Sequence, residues 1–129
     1  MKNKAINNTV SYSFTGTHII AELYGILPGL LNSIDRIENA VSKGIAAANV
    51  RCEGVLVKKF APTGVTLLAL LLESHVSVHT YPEDSALFFD AFTCGSGHNP
   101  EVILKVITEE LAPIKSHVQK IRRGYDSVS

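Results

Sequence analysis

Apolar and polar residues recur with two different periods along the chain, and each change of period marks a new element. Residues 18–24 have the composition of a β-strand, which Gly25 and Pro28 end. From about residue 30 to residue 48 the apolar positions lie three and four residues apart, which predicts one amphipathic helix. Its apolar stripe consists of Leu30, Ile34, Ile37, Val41 and Ile45.

Four β-rich runs follow this helix, at residues 50–60, 65–72, 76–80 and 86–93. Their short connections predict an antiparallel meander. Asn99 as a cap and Pro100 as the first helical residue indicate a second helix, and residues 117–121 a last strand. This order predicts an α+β fold, a two-layer sandwich of an antiparallel sheet with two helices packed on one face. The other face must meet water or another molecule, which favours a dimer.

The composition is that of one globular domain spanning residues 1–129. Hydrophobic residues make up 46% of the chain, and twelve Lys plus Arg balance twelve Asp plus Glu, so no basic surplus is present for a nucleic acid. The longest apolar run, residues 65–72, is too short to span a bilayer, and residues 1–14 lack the apolar stretch of a secretory signal. We therefore expect a cytoplasmic protein without nucleic-acid or membrane partners, with flexible residues 1–15 and free thiols at Cys52 and Cys94.

Reactive side chains are concentrated at residues 73–83, directly after the most apolar predicted strand. Alternation along a strand places His75, Ser77 and His79 on one face, and the intervening valines on the buried face. An antiparallel hairpin would also bring Cys94 back toward Ser74. The two segments are therefore expected to share a pocket.

Spacing alone leaves three interpretations of this cluster open. One is a metal site, one is a hydrolase with a serine or cysteine nucleophile, and one is a set of polar residues on the open face of a sheet. The metal site lacks a tight paired motif, and the hydrolase lacks a strand-turn-helix nucleophile elbow. The third interpretation is favoured on spacing alone. The metal site would use His75, His79, His98 and Cys94.

Two motifs then point to a known family. The segment 73–83, Glu-Ser-His-Val-Ser-Val-His-Thr-Tyr-Pro-Glu, and the segment 92–95, Phe-Thr-Cys-Gly, closely resemble the prokaryotic S-adenosylmethionine decarboxylases. The resemblance extends over about residues 16–126, and together the two motifs are highly specific. Supporting matches are residues 18–25, Phe60, Pro62, Gly64 and residues 124–126.

The resemblance implies a proenzyme that cuts itself between Glu73 and Ser74 into residues 1–73 and 74–129. In this family the serine becomes a pyruvoyl cofactor, which acts as the electron sink in place of pyridoxal phosphate. The resemblance therefore implies a pyruvoyl group derived from Ser74.

Further roles follow from the same resemblance. His79 matches the processing base, and Thr66 lies where the family has a hydroxyl residue that supports the cyclic intermediate. Cys94 matches the proton donor of the decarboxylation. Phe60 and Tyr81 match aromatic positions beside the adenine of S-adenosylmethionine. Glu83 matches the carboxylate that holds the ribose hydroxyls.

The resemblance also implies a homodimer whose pockets draw on both subunits, no metal, and a product used as an aminopropyl donor in polyamine synthesis. Departures from the family pattern concern the substrate. Tyr81 replaces a usual tryptophan, residues 84–90 differ from the family, and about ten residues are added at the N-terminus. A related pyruvoyl decarboxylase of ornithine or arginine is therefore the alternative. Retention of the serine, histidine and cysteine argues against an uncleaved regulatory partner.

Overall fold

A computed structural model of the protein describes residues 14–95 and 98–124. Within these ranges six strands form one antiparallel sheet in the order β2-β3-β4-β5-β1-β6. The predicted α+β sandwich and the meander β2 to β5 are confirmed. The strands are β1 Gly16–Tyr24, β2 Cys52–Lys59, β3 Val65–Leu71, β4 Ser74–Tyr81, β5 Ala86–Cys94 and β6 Lys115–Arg123. The helices are α1 Pro28–Leu31, α2 Ile34–Ala47 and α3 Pro100–Leu111, with a 3₁₀ turn at Pro82–Asp84.

Several expectations concern residues beyond these ranges. The predicted flexibility of residues 1–15 falls mostly on residues 1–13, and the matches at Tyr125 and Asp126 also lie outside the described residues. Among the helices that the structure does describe, none has the length and apolar character needed to cross a membrane.

One face of the sheet packs on α2 and α3 and forms the core. Every second residue of the inner strands is buried there, as with Ile19 of β1, Leu67 of β3 and Val78 of β4. Ile37 of α2 and Ile103 of α3 belong to the same core. The predicted alternation of β4 is confirmed, because its valines are buried while His75, Ser77 and His79 are only partly covered on the open face.

The prediction of one continuous helix over residues 30–48 is wrong in its first turn. Leu30 lies in the short helix α1, and α2 begins only at Ile34. Ser33 ends the break by accepting a hydrogen bond on its hydroxyl from the Arg36 backbone N–H, at 3.2 Å. Asn32 ties the break to the sheet, since its side-chain oxygen accepts from Gly64 N at 2.9 Å. The cap at Ser33 therefore sets the start of α2, although apolar residues at helical spacing continue through the break.

Strands β4 and β6 are longer than predicted, at Ser74–Tyr81 against 76–80 and Lys115–Arg123 against 117–121. The extra residues are paired through the backbone, as Ser74 is with Leu71. Backbone pairing does not require a β-forming side chain, so polar residues extend both strands.

Thr80 joins the helical layer to the sheet. Its buried hydroxyl donates to Leu31 O at 2.7 Å and accepts from Val65 N at 2.8 Å. One side chain therefore satisfies a carbonyl at the end of α1 and an amide at the start of β3.

Replacing Thr80 with valine should lower the free energy of unfolding by about 1–3 kcal/mol, because two buried backbone groups lose their partner without a change of volume. Urea unfolding followed by circular dichroism measures the change. Thr17→Val is the matched control, since that half-buried hydroxyl of β1 makes no hydrogen bond within the described chain. Equal free energies of unfolding for the Thr80→Val and Thr17→Val variants would contradict the role given to the two Thr80 hydrogen bonds.

Candidate active site

The Glu73–Ser74 bond lies in the tight turn between β3 and β4. Leu71 pairs with Ser74, so only Leu72 and Glu73 connect the two strands. Glu73 has a φ of 63°, in the left-handed region. For a residue with a side chain this conformation costs roughly 1–2 kcal/mol. The residue before the serine is therefore held in a strained backbone conformation.

Cys94 lies against this turn from the end of β5. Its thiol donates a hydrogen bond to the Glu73 carbonyl oxygen at 3.0 Å. The predicted approach of Cys94 to the segment around Ser74 is therefore confirmed. Burial, followed by the negative charge of Glu73, raises the pKa of the Cys94 thiol above its ordinary value. The thiol thus keeps its proton at neutral pH and can act as a hydrogen-bond or proton donor.

The other predicted residues lie at the opposite end of the same strands, and we call Phe60, Thr66, His79, Tyr81 and Glu83 the distal group. The Thr66 hydroxyl and His79 Nδ1 are 3.1 Å apart, since these residues are direct partners across β3 and β4. This contact gives the imidazole a hydroxyl neighbour on the open face.

The rest of the distal group surrounds the far ends of β2 and β4. The Tyr81 ring packs on Phe88 with centroids 4.9 Å apart. Glu83 lies in the 3₁₀ turn and accepts from Thr63 Oγ1 at 3.4 Å. Phe60 directly follows β2 and is 45% exposed. Two aromatic rings and a carboxylate are thus partly accessible at this end.

One chain does not bring the distal group to Ser74. Ser74 and His79 are five residues apart on one straight strand, which separates them by about 16 Å at ~3.3 Å per residue. The sequence-predicted site is therefore divided into two parts within the chain.

A polar cluster that the sequence analysis missed lies between these two ends. Asp90 Oδ2 accepts from His18 Nε2 at 2.6 Å and from His75 Nε2 at 2.8 Å, and the Ser77 hydroxyl donates to Oδ1. Ser77 is the direct cross-strand partner of Asp90, and the two histidines flank Phe92 in the neighbouring strands. We call His18, His75, Ser77 and Asp90 the Asp90 cluster.

The carboxylate of this cluster stays ionised. Partial burial alone would raise the pKa of Asp90, but hydrogen bonds from Ser77, His18 and His75 outweigh it and hold the pKa below its usual value. Because a carboxylate only accepts hydrogen bonds, both histidines present a protonated Nε2 to it.

Two sets of residues have the side chains needed to bind a metal ion. The set predicted as an alternative is not assembled, because Cys94 contacts Glu73 while His79 contacts Thr66. The ligand atoms of His18, His75 and Asp90 do lie within 4.8 Å of one another. Arg123, however, is 3.4 Å from His18 Nδ1. A cation that donates to Nδ1 leaves the proton on Nε2, where a metal would have to bind. The cluster therefore fits hydrogen bonding better than metal coordination.

Comparisons with known proteins identify the family of this chain. The model of the family described as S-adenosylmethionine decarboxylase matches residues 17–124. The chain belongs to that family. A relative in Bacillus cereus, named S-adenosylmethionine decarboxylase proenzyme 2, is 35% identical over 119 residues, covering 92% of this chain and 97% of the relative.

Two further members support the same assignment. The S-adenosylmethionine decarboxylase proenzyme of Thermococcus kodakarensis is 35% identical over 111 residues, covering 86% of this chain and 78% of that protein. The crystal structure of the adenosylmethionine decarboxylase from Aquifex aeolicus superposes with a TM-score of 0.83 at 27% identity, covering 92% and 98% of the two chains. The alternative of an ornithine or arginine decarboxylase gains no support from these family members.

A sequence signal for the missed cluster does exist. Asp90 is the one charged residue in the otherwise apolar run 86–92, at a position whose neighbours two residues away are Phe88 and Phe92. A lone carboxylate on a β-strand indicates polar partners on adjacent strands. Its partner His18, however, is 72 residues away along the chain.

The protonation state of Cys94 can be tested by alkylation in a Ser74→Ala chain, where the bond after Glu73 stays intact. Replacing Glu73 with glutamine in that chain removes a negative charge beside the thiol. The pKa of Cys94 should fall and iodoacetamide labelling should reach its half-maximal rate at a lower pH. Peptide mass spectrometry of Cys94 measures this, with exposed Cys52 as internal control. An unchanged Cys94 profile would contradict the role of Glu73.

Proposed function

We propose that this protein is an S-adenosylmethionine decarboxylase proenzyme that cuts itself between Glu73 and Ser74 and converts Ser74 into its pyruvoyl cofactor. The observation that carries the proposal is the Cys94 thiol on the Glu73 carbonyl oxygen, at 3.0 Å. Family membership supports the substrate and the proenzyme character.

Self-cleavage follows from the groups around the turn. The Ser74 hydroxyl attacks the Glu73 carbonyl carbon, the peptide C–N bond breaks, and the nitrogen takes a proton, which leaves an ester. Loss of the Ser74 α-proton then breaks the bond between the Ser74 β-carbon and the ester oxygen. This β-elimination releases residues 1–73 with a main-chain carboxylate at Glu73. Water hydrolyses the remaining dehydroalanine to the pyruvoyl group and releases ammonia. Strain at Glu73 and the hydrogen bond from Cys94 both favour attack on this carbonyl.

The residues around Ser74 fit this cofactor, since a hydroxyl residue directly follows a strained and hydrogen-bonded carbonyl. The pyruvoyl group supplies an electron sink for loss of carbon dioxide from the bound amino acid. Cys94, whose raised pKa preserves its proton, delivers that proton to the product carbon. Phe60 and Tyr81 offer aromatic surface to the adenine and sulfonium, and Glu83 accepts from the ribose hydroxyls.

A homodimer that packs open face on open face completes the site in this proposal. Within one chain the distal group cannot reach Ser74, so a second copy must supply Thr66 and His79. The open face is suited to such packing because it exposes large apolar side chains beside a concavity of about 700 Å³. Ordinary monomer surfaces avoid contiguous patches of this kind. These side chains are Ile20, Leu56, Leu68, Leu70, Phe88 and Ile121.

Mass spectrometry tests the cleavage directly. The purified chain should appear as two polypeptides, residues 1–73 and 74–129, and should release carbon dioxide from S-adenosylmethionine but not from ornithine or arginine. Ser74→Ala should remain a 14.0 kDa species without activity, because the attacking hydroxyl is absent. Cys94→Ala is the comparison variant, expected to cleave slowly and to release little carbon dioxide. An intact wild-type chain would refute self-cleavage, and turnover of ornithine or arginine alone would refute the substrate.

Shared sites can be tested by mixing two inactive precursors. His79→Ala alone and Ser74→Ala alone should each stay uncleaved. In a co-expressed heterodimer the His79→Ala chain keeps its serine and receives His79 from its partner, so that chain should be cut while the Ser74→Ala chain stays whole. Distinct affinity tags allow isolation of the heterodimer and assignment of the products by mass.

The matched control for this mixture carries both substitutions in one chain, co-expressed with a chain that has neither. There the doubly substituted chain should stay whole. Cleavage of the His79→Ala chain in the absence of a partner would show that His79 is not needed. No cleavage in the isolated heterodimer, with a cleaving wild-type dimer alongside, would refute the shared site.

A further inference from the structure

At the start of β4, backbone pairing begins one residue earlier toward β3 than toward β5. Toward β3 the pairing includes Ser74, which lies opposite Leu71. Toward β5 the pairing begins only at His75, which lies opposite Phe92. His75 is therefore the first residue of β4 attached on the side from which Cys94 approaches the Glu73 carbonyl.

The side chain of His75 supplies a second attachment on that same side. Its Nε2 donates to Asp90 Oδ2 at 2.8 Å, and the Ser77 hydroxyl holds the other oxygen of the same carboxylate. An ionised acceptor makes these hydrogen bonds stronger than neutral ones. His75 is thus bound to β5 by its backbone and by a charge-assisted side-chain bond.

We propose that Asp90 is a positioning residue for self-cleavage, which acts by holding His75 so that the adjoining Glu73–Ser74 bond stays against the Cys94 thiol. This inference rests on the proposed self-cleaving function. Asp90 does not contact the reacting atoms. Its effect is transmitted over a single residue, from the His75 side chain to the backbone of Ser74.

The geometry distinguishes the two histidines that share the carboxylate. His75 adjoins Ser74, whereas His18 lies on β1 and is attached to the same oxygen from the other side of Phe92. Both make the same kind of bond to Asp90, and both are partly buried. Only His75 links Asp90 to the cleaved bond, so His18 provides a matched control.

The test follows the half-time of precursor cleavage by mass spectrometry after cell-free synthesis of the whole chain. His75→Ala and Asp90→Asn should slow cleavage by about tenfold or more, because displacing a reacting group by about 1 Å can cost up to about a hundredfold in rate. His75→Gln, which can still donate to Asp90, should restore most of the rate lost in His75→Ala. His18→Gln and His18→Ala should both cleave nearly as fast as the wild type.

Each contrary result is decisive. Equal loss in His75→Gln and His75→Ala would mean that the imidazole itself reacts, which overturns a positioning role. Normal cleavage of Asp90→Asn, or loss in His18→Ala as large as in His75→Ala, would overturn it as well. Thermal unfolding of the same variants in a Ser74→Ala background separates slow cleavage from failure to fold.

A spectroscopic measurement keeps this inference separate from the cleavage proposal. In the uncleaved Ser74→Ala chain, ¹⁵N imidazole spectra should show His75 with its proton on Nε2, and Asp90→Asn should change that tautomer or its exchange. An uncleaved wild-type chain with this spectrum would refute self-cleavage and leave the Asp90–His75 bond standing. If the ¹⁵N imidazole signal of His75 is the same with and without Asp90→Asn, the inference is overturned even if the wild type cleaves.

Discussion

Pairing of β4 with β3 on one side and β5 on the other is the constraint from which the candidate site follows. The β3 pairing fixes the two-residue turn that carries Glu73, and it places Thr66 opposite His79. The pairing of β4 with β5 brings the end of β5, with Cys94, to the same turn. A slip of one residue in either ladder would exchange the faces of every side chain on β4, and would break the turn and both contacts.

The contact between Cys94 and Glu73 combines two effects in one place. The donor thiol withdraws electron density from the carbonyl of Glu73, whose backbone is already in a strained left-handed conformation. Burial and the nearby Glu73 carboxylate keep the thiol protonated. The same proton therefore serves cleavage first as a hydrogen-bond donor and turnover later as a transferable acid. A lower pKa would weaken both roles together.

The open face joins an apolar surface to a polar cluster. Exposed leucines of β2 and β3 border a cluster whose carboxylate is satisfied by three donors. An unpaired charge would oppose covering of this face by a second copy, because removing it from water is costly. Internal hydrogen bonding of Asp90 reduces that cost. The polar centre of the sheet is thus compatible with an apolar interface around it.

Local features of this protein were determined by the sequence itself. Period and capping residues predicted the sheet with its two long helices, and alternation predicted which side chains of β4 face outward. The motifs at 73–83 and 92–95 identified the segments that meet at Cys94. The tertiary structure decided the gathering of His18 with His75 around Asp90 and the separation of Ser74 from the distal group. Near neighbours along the chain set periodicity and caps, whereas strand order and register set contacts between residues as distant as His18 and Asp90.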